Sequence, residues 1–331
     1  ESGETALLYH LDELQAQGKN VVEGKKAFEL YATFGLPFEI TRDIALERHL
    51  TTDESGFRVE MDEHRIASGA GKAMGALGGE DAEFFSGISQ ELQSLGKLPP
   101  QGVSYDPYND LTVDSEVLAL VVDGRLAEEA QFGDAVEVIV PRTGFYIESG
   151  GQVSDFGYIK GTDWEIEITD VRRPAPGLIV HSGEVISGKV HIGDKAITEV
   201  DKVRRHDIMR NHTATHLLHA ALHQVLGSHA RQAGSLVSPS HLRFDFTHPE
   251  AMTPEEIEQV EKLVNEAVAA DMAVTPRLKP REEAIAEGAM ALFGEKYGET
   301  VRVVRIGEYS VELCGGTHLD KASEVGLFRI V

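Results

Sequence analysis

Two histidines four residues apart, His212 and His216, stand in Asn211-His212-Thr213-Ala214-Thr215-His216 at the head of a stretch with apolar residues at helical spacing. Positions i and i+4 of a helix share one face about one turn apart, so the two imidazoles can converge on one point. Far downstream, the only cysteine of the chain opens Cys314-Gly315-Gly316-Thr317-His318. Zinc takes His nitrogens and Cys thiolates in tetrahedral geometry. Gly315-Gly316 lets the second segment curl so that both of its side chains face inward. A fold that serves both pairs must press a helix face against a strand-to-loop turn that is distant in sequence. The rest of the chain is read as what builds or feeds that meeting point.

Neither pair decides its chemistry alone. A zinc protease helix needs Glu directly after the first His, as general base; Thr213 stands there instead, and the protease reading fails. His219 and His223 extend the same helix past the reach of any single ion and are assigned structural roles. Packed or surface histidines would explain His212 and His216 as well. For Cys314 the default reading is a small buried hydrophobe; a further one is the nucleophile of a Cys-His hydrolase, although no third, orienting residue is assigned for it.

Composition narrows the class. The 331 residues suffice for two or three domains, and 41% hydrophobic with 26% charged residues is ordinary for a soluble globular protein. No apolar run is long enough to cross a bilayer, so no membrane partner is expected. One cysteine excludes an intramolecular disulfide framework and fits a reducing, cytoplasmic setting. The net charge of -24 argues against non-specific coating of nucleic acid. From 201 to 243, however, the bases are Lys202, Arg204, Arg205, Arg210, Arg231 and Arg243, against the acids Asp201 and Asp207. This is either a local basic patch around the histidine pair or plain scatter of surface charge. The first residues are acidic and polar, without a signal-peptide pattern or an initiator Met, which suits an excised fragment.

The organisation reads as α+β. Residues 1–105 are expected to be mainly helical, with helices over 7–14, 24–31, 43–49, 57–74 and 82–95, and a Pro/Gly-rich linker over 96–107. Residues 106–200 read as short strands at 117–122, 135–140, 164–171, 178–185 and 195–200, with Asp123-Gly124 as a tight hairpin turn; such a series suggests a small β-barrel. Gly150, Gly151 and Gly157 mark corners, bulges or the close approach of another segment. Residues 201–331 mix both types. Helices are expected over 211–226, after the capping box Thr253-Pro254-Glu255-Glu256, and over 282–292. Strands are expected at 236 and 242–246, and a hairpin over 301–313 delivers Cys314.

Several stretches resemble, in order and over essentially the whole chain, the alanyl-tRNA synthetase family. They are Leu30-Tyr31-Ala32-Thr33-Phe34-Gly35-Leu36-Pro37, Phe145-Tyr146-Ile147-Glu148-Ser149-Gly150-Gly151-Gln152, Arg210-Asn211-His212-Thr213-Ala214-Thr215-His216-Leu217-Leu218-His219, Gln232-Ala233-Gly234-Ser235-Leu236-Val237, Leu242-Arg243-Phe244-Asp245-Phe246, Phe293-Gly294-Glu295-Lys296-Tyr297-Gly298 and Cys314-Gly315-Gly316-Thr317-His318. The resemblance implies a helical linker, a small β-barrel and a two-layer α/β editing sandwich with a zinc site. It implies zinc ligands at His212, His216, Cys314 and His318. It implies hydrolysis of Ser or Gly mischarged on tRNA(Ala). The family's N-terminal domain, which uses ATP to ligate alanine, and its C-terminal extension have no counterpart in the sequence. Editing without aminoacylation is therefore expected, with the rest of a parent chain as a partner.

The chemistry of editing stands beside this. A pocket shaped for alanine cannot reject glycine by size, and it rejects an isostere with one added hydroxyl poorly, so a second, hydrolytic site is needed. Zinc with an open position can activate water or polarise a carbonyl. Zinc held by four protein ligands can fix the loop and helix, or bind the substrate amine after losing one ligand. The sequence leaves these open. Gln232, within a matched stretch, Thr215 and Cys314 are the catalytic candidates. Ser235, Thr317 and Thr213 could bind substrate, Arg204, Arg205 and Arg210 could hold acceptor phosphates, and Glu148 and Gln152 could face the same cleft from the barrel. A structural hydrogen bond explains each hydroxyl or amide equally well. Two other functions remain: a free-standing trans-editing deacylase, against which the linker-like residues 1–100 argue, and a non-catalytic zinc-stapled tRNA-binding module.

Overall fold

A computed structural model describes residues 3–34, 36, 38–48, 50–67, 79–290 and 298–331. The chain divides into two compact units, Glu1–Gly78 and Gly79–Val331.

The first unit contains α1 (Gly3–Ala16), β1 (Val21–Val22), α2 (Gly24–Phe34), α3 (Phe38–Glu47), β2 (Thr51–Thr52) and α4 (Glu54–Ala67). Leu7, Leu11 and Leu14 form one buried stripe of α1 and meet Val22, Ala27, Leu30, Phe38, Ala45, Leu50 and Phe57. The two short strands pair in parallel, Val21 opposite Thr51. Each feeds a helix, and the helix starts touch: a Cβ on Gly24 would lie 2.1 Å from the Phe57 backbone nitrogen. The helix expected from 57 begins earlier, at Glu54, and residues 68–74 of that expectation lie outside the described residues, as do Gly35, Pro37 and His49.

The second unit opens with α5 (Gly79–Ser94), whose Phe85, Ile88 and Leu92 pack into the core of the sheet that follows. This helix, read from sequence with residues 1–105, thus belongs to the sheet by its packing. The presumed linker after it is also tied down. Leu98 and Val103 are buried in the same core, and Gly102 (φ +85°) sits so close to Gly177 that a Cβ would lie 2.0 Å from its carbonyl oxygen.

The strands are β3 (Ser104–Tyr105), β4 (Thr112–Glu116), β5 (Ala119–Val122), β6 (Arg125–Ala127), β7 (Glu129–Gln131), β8 (Ala135–Ile139), β9 (Arg142–Thr143), β10 (Gly157–Lys160), β11 (Glu165–Ala175), β12 (Leu178–Ser187), β13 (Lys189–His191) and β14 (Lys195–Val200). Eight of them form one sheet in the order β4-β14-β10-β11-β12-β8-β5-β6, antiparallel throughout. Among the described residues no ladder joins β4 to β6. Asp123 (φ +50°) and Gly124 (φ +71°) form the tight turn between β5 and β6, as their residue types require.

The remainder is α6 (Lys202–Leu226), β15 (Gln232–Val237), β16 (Leu242–Phe246), α7 (Pro254–Ala269), β17 (Val274–Pro280), α8 (Arg281–Ala286), β18 (Thr300–Ile306) and β19 (Ser310–Leu313). The helix carrying the histidines starts nine residues before its expected head, because Asp201 caps it by accepting from Val203 N and Arg204 N. Thr253 and Glu256 form the expected capping box of α7. The helix expected over 282–292 ends at Ala286. Gly288 turns the chain at φ +83°, Met290 bridges to Glu312, and residue 291 onward lies outside the described residues up to 297. Leu217, Leu218, Ala221 and Leu222 of α6 share a core with Val260 and Val264 of α7, Val304 and Ile306 of β18, Leu319 and Phe328. The molecule is thus of mixed α and β structure with mostly antiparallel sheets.

Candidate metal centre

Four buried side chains meet where α6 crosses the end of β19. His212, His216, Cys314 and His318 each offer one ligand atom, and these atoms lie within 4.8 Å of one another. Residues 212–222 are buried without interruption, so this part of α6 is covered on every side, in a core it shares with α7, the β17-β18-β19 layer and the C-terminal segment. The β18-β19 hairpin pairs Ile306 with Ser310 and Val303 with Leu313, which puts Cys314 at the first residue past the strand. Its Sγ lies 3.4 Å from His212 Nε2 and 3.2 Å from His318 Nε2. Tetrahedral zinc with its usual bond lengths spaces N and S ligands roughly 3.3–3.6 Å apart, so these edges already approach that geometry. Three imidazoles and one thiol form a donor set that fits zinc.

The electrostatics suit a cation. Burial holds His212 and His318 well below the ordinary histidine range, and the neighbouring imidazoles and Arg302 add to this. His216 is lowered by burial too, against the pull of Glu312. Neutral imidazoles have lone pairs to give, as a metal requires.

Outer partners orient the rings. His212 Nδ1 lies 2.7 Å from Gln152 Oε1, His318 Nδ1 lies 3.3 Å from the Thr213 hydroxyl, and His216 Nδ1 faces Glu312 Oε2 at 3.8 Å. Glu312, itself buried, also takes His219 Nδ1 at 3.2 Å and the Ser310 hydroxyl at 3.1 Å. Burial opposes its charge, but His216, His219 and Ser310 outweigh that and hold its carboxyl below the ordinary value. Metal-ligating histidines commonly hand their second nitrogen to such groups. The loop has its own clamps. Arg302 donates to the carbonyls of Cys314 (3.0 Å) and Gly316 (2.8 Å), and Tyr108 Oη donates to Gly315 O at 2.7 Å.

The other sequence candidates fall into three groups. Gln152 and Thr317 are inside the centre: both are buried, and Gln152 Nε2 donates to Thr317 Oγ1 at 3.0 Å. Thr215 is buried on α6, its hydroxyl donating to Asn211 O at 2.8 Å, while Gln232 and Ser235 lie half-buried on β15. Gly151 (φ +83°) is both a corner and a close approach, two of the alternatives read for it: a Cβ would lie 2.6 Å from the Ser235 carbonyl oxygen. Glu148 is exposed; partial burial and Asp170 raise its carboxyl above the ordinary range. Arg204 stacks 3.7 Å over Phe156 and donates to Ser154 O at 3.1 Å. Arg210 is half-buried beside Asp207, 3.4 Å away.

Arg205 is placed otherwise than the phosphate-binding expectation required. It is buried, with its guanidinium committed to the Asp155 carboxylate and to the carbonyls of Pro107 (2.6 Å) and Gly144 (2.9 Å). The His219 and His223 rings meet edge-on, 4.6 Å apart between centroids, outside the four-residue cluster.

Sequence reasoning missed Glu312, Arg302 and Tyr108. Glu312 left a signal: a lone carboxylate on the four-residue strand, Ser310-Val311-Glu312-Leu313, that delivers Cys314. Arg302 and Tyr108 left none, because their role depends on a loop conformation.

Comparison with known proteins follows the same outline. The family described as "tRNA synthetases class II (A)" matches residues 1–204, and "Threonyl and Alanyl tRNA synthetase second additional domain" matches residues 301–331. The chain belongs to the alanyl-tRNA synthetase family. The alanine–tRNA ligase of Thermoanaerobacter sp. (strain X514) is 43% identical over 332 residues, covering 100% of this chain and 36% of its own length. That of Chloroflexus aurantiacus is 43% identical over 341 residues, covering 99% of this chain and 37% of its own. That of Pelotomaculum thermopropionicum is 46% identical over 320 residues, covering 96% and 36%. The chain therefore spans little more than a third of the length of these alanyl-tRNA synthetase relatives. The second match begins in β18, so it takes in the whole Cys314–His318 half of the centre.

Proposed function

We propose that this chain is the editing part of an alanyl-tRNA synthetase. It would hydrolyse the ester between tRNA(Ala) and a misattached serine or glycine. The observation that carries the reading is the buried His212/His216/Cys314/His318 cluster in a chain of that family. Ligation of alanine with ATP would belong to the rest of the parent chain, with tRNA(Ala) as the shared partner. No helix among the described residues is long and apolar enough to cross a membrane, and the cytoplasm, where aminoacylated tRNA is used, is the proposed setting. The eight-stranded sheet is read as the small barrel, and α6, α7 and the β17-β18-β19 layer as the editing sandwich.

His212, His216, Cys314 and His318 would hold zinc. The chemistry it would supply when bound is a concentrated positive charge beside the acyl group. Cys314, as a ligand, would be thiolate and unavailable as a nucleophile. Thr317 accepts from Gln152, and its own hydroxyl hydrogen remains to donate to substrate. Gln232 would donate its amide to a seryl hydroxyl or to the acyl oxygen from the start of β15, with Ser235 further along that strand, and Thr215, whose hydroxyl donates to Asn211 O, would have to release that bond to act on substrate. Arg204 and Arg210, both partly exposed on the first turns of α6, would hold acceptor phosphates. Arg205 would instead fix that helix start. Glu148, exposed on the turn before Gln152, would lie at the margin of the cleft.

The test is deacylation by the purified chain of tRNA(Ala) charged with serine, glycine or alanine. Ser and Gly esters should be hydrolysed well above a chelator-treated control, and the Ala ester spared. One observation favours a second reading: four protein ligands complete a tetrahedron, the pattern of structural zinc. A chain that binds zinc and tRNA(Ala) but leaves all three esters intact would establish that reading and remove the catalytic one.

A further inference from the structure

Gln152 is fully buried, yet it belongs to the sheet-bearing half of the second unit, far from the His and Cys pairs in sequence. Its backbone is held in place. Gln152 N donates to Ser149 O at 3.0 Å, and the segment pairs with β15, Val237 N donating to Gly151 O at 2.7 Å and Val153 N to Val237 O at 3.1 Å. Its side chain then crosses to the metal centre and makes three hydrogen bonds. Oε1 faces His212 Nδ1 at 2.7 Å and Thr317 N at 2.9 Å, while Nε2 faces Thr317 Oγ1 at 3.0 Å.

Elementary donor and acceptor rules fix the protons. A backbone N–H can only donate, so the amide atom facing Thr317 N must be the oxygen. The same oxygen faces His212 Nδ1, so that nitrogen must carry the hydrogen. His212 is then the Nδ1-protonated tautomer, and the lone pair is on Nε2, the atom 3.4 Å from Cys314 Sγ. One carbonyl oxygen therefore ties His212 to the loop that carries His318. The neighbouring glycine leaves room for it: a Cβ on Gly316 would lie 2.8 Å from Gln152 Oε1.

We propose that Gln152 is a positioning residue of the metal centre, setting the His212 tautomer and the Thr317 turn from outside the His and Cys pairs. The proposal rests on reading the four residues as a zinc site, and it replaces the cleft-facing role expected for Gln152 from sequence. It makes the affinity of the ion depend on the sheet half of the unit as well as on the helix and loop that supply the ligands.

The experiment uses the full chain, wild type against Gln152→Leu and Gln152→Glu. Leucine keeps approximate size and loses every hydrogen bond. Glutamate keeps an acceptor for both His212 Nδ1–H and Thr317 N–H. Two readouts are taken: the ¹⁵N shifts of His212 in metal-free protein, which report the tautomer, and zinc affinity by chelator competition. Wild type and Gln152→Glu should show the Nδ1-protonated ring and similar affinity. Gln152→Leu should show mixed tautomers and an affinity about 10- to 100-fold lower, the usual cost of losing an outer partner of a ligating histidine. A Gln152→Leu protein with wild-type tautomer and affinity would overturn the proposal. Should leucine prevent folding, a folded Gln152→Glu protein decides: the wild-type tautomer supports the proposal, and the other tautomer overturns it. A wild-type chain that takes up no zinc would sink the metal reading, while the tautomer measurement still decides what Gln152 does.

Discussion

Arg205, on the first turn of α6, closes on Asp155 with both side chains removed from solvent, at 3% and 0% exposure. Asp155 also accepts from Tyr146 N at 2.7 Å. The pair thereby fastens the start of the histidine helix to the glycine-bearing turn that leads into Gln152. Breaking a buried pair from one side leaves an uncompensated charge in the interior. Arg205→Met or Asp155→Leu alone should lower unfolding free energy by about 3–5 kcal/mol in urea titrations. The double variant should cost less than the sum of the singles, and full additivity would mean that the two do not act together.

The two glycines of the Cys314 loop should behave oppositely. A Cβ on Gly316 would lie 1.9 Å from His212 Cε1, whereas a Cβ on Gly315 would meet nothing within 4 Å. Gly316→Ala should therefore displace the His212 ring and reduce zinc affinity by at least about tenfold. Gly315→Ala should leave affinity within about twofold, as tight outer geometry is untouched. Equal effects in chelator competition would contradict this geometry.

Metal removal should be visible in stability. An ion that binds only the folded state adds about 2.7 kcal/mol at a hundredfold excess over its dissociation constant. Thermal melting of the metal-free chain should rise on titration with zinc. Cys314→Ala should abolish that rise without lowering the metal-free melting temperature by a comparable amount. A rise that survives Cys314→Ala would put the ion elsewhere.

On the proposed function, Arg204 and Arg210 meet phosphate. Replacing both with Gln should weaken tRNA(Ala) binding and flatten its salt dependence by roughly 1.4 in log–log slope, about 0.7 for each single-strand phosphate no longer neutralised. Filter binding across a salt series measures both. An unchanged slope would remove these residues from the interface.

His181, deep in the sheet core, should make the fold acid-sensitive. Burial lowers it to about 4, and its ring neighbours are the Thr143 hydroxyl, Val138 O and the Phe145 ring. A histidine depressed in the folded state is neutral there while the unfolded chain still takes up a proton. Its contribution is therefore fully present above pH ~6.5, the unfolded value, and is lost as pH falls towards 4. That amounts to about 3 kcal/mol at about 1.4 kcal/mol per pKa step. His181→Phe should flatten this part of the pH–stability curve.

How much of the fold and of the centre is legible in the sequence depends on range. The Thr253 capping box, the Asp123-Gly124 turn and the β18-β19 hairpin are set by neighbouring residues, and the chain adopts them as read. Asp201 is equally local, a plain helix cap, but the histidine pair draws the expected start of α6 to a point too late in the chain. The helix expected through 292 fails on Gly288, where a positive φ outweighs a favourable apolar pattern. The convergence of His212, His216, Cys314 and His318 is readable because one pair has helical i, i+4 spacing and the other holds the single cysteine of the chain. The partners that aim those rings are readable only in part. Gln152 is named as a cleft residue but not as a partner of His212, and Glu312 shows only as a carboxylate on a short strand, because both reach the rings through tertiary placement that leaves no periodicity behind. Arg205 misleads for the same reason, since a buried and an exposed arginine are spelled alike.

The spacing of the contacts at this centre also orders events in time. Cys314 meets His212 across 102 residues, and Gln152 meets Thr317 across 165. Closing loops of that length is entropically slow and must precede the contacts that reward it. On a newly made chain only the paired histidines of α6 can greet an ion, and two nitrogens hold it loosely. The cysteine half is synthesised last. If the four residues hold zinc as proposed, its full coordination would wait for the second unit to close, and a nascent chain released before β19 would keep only the two-nitrogen grip of the helix.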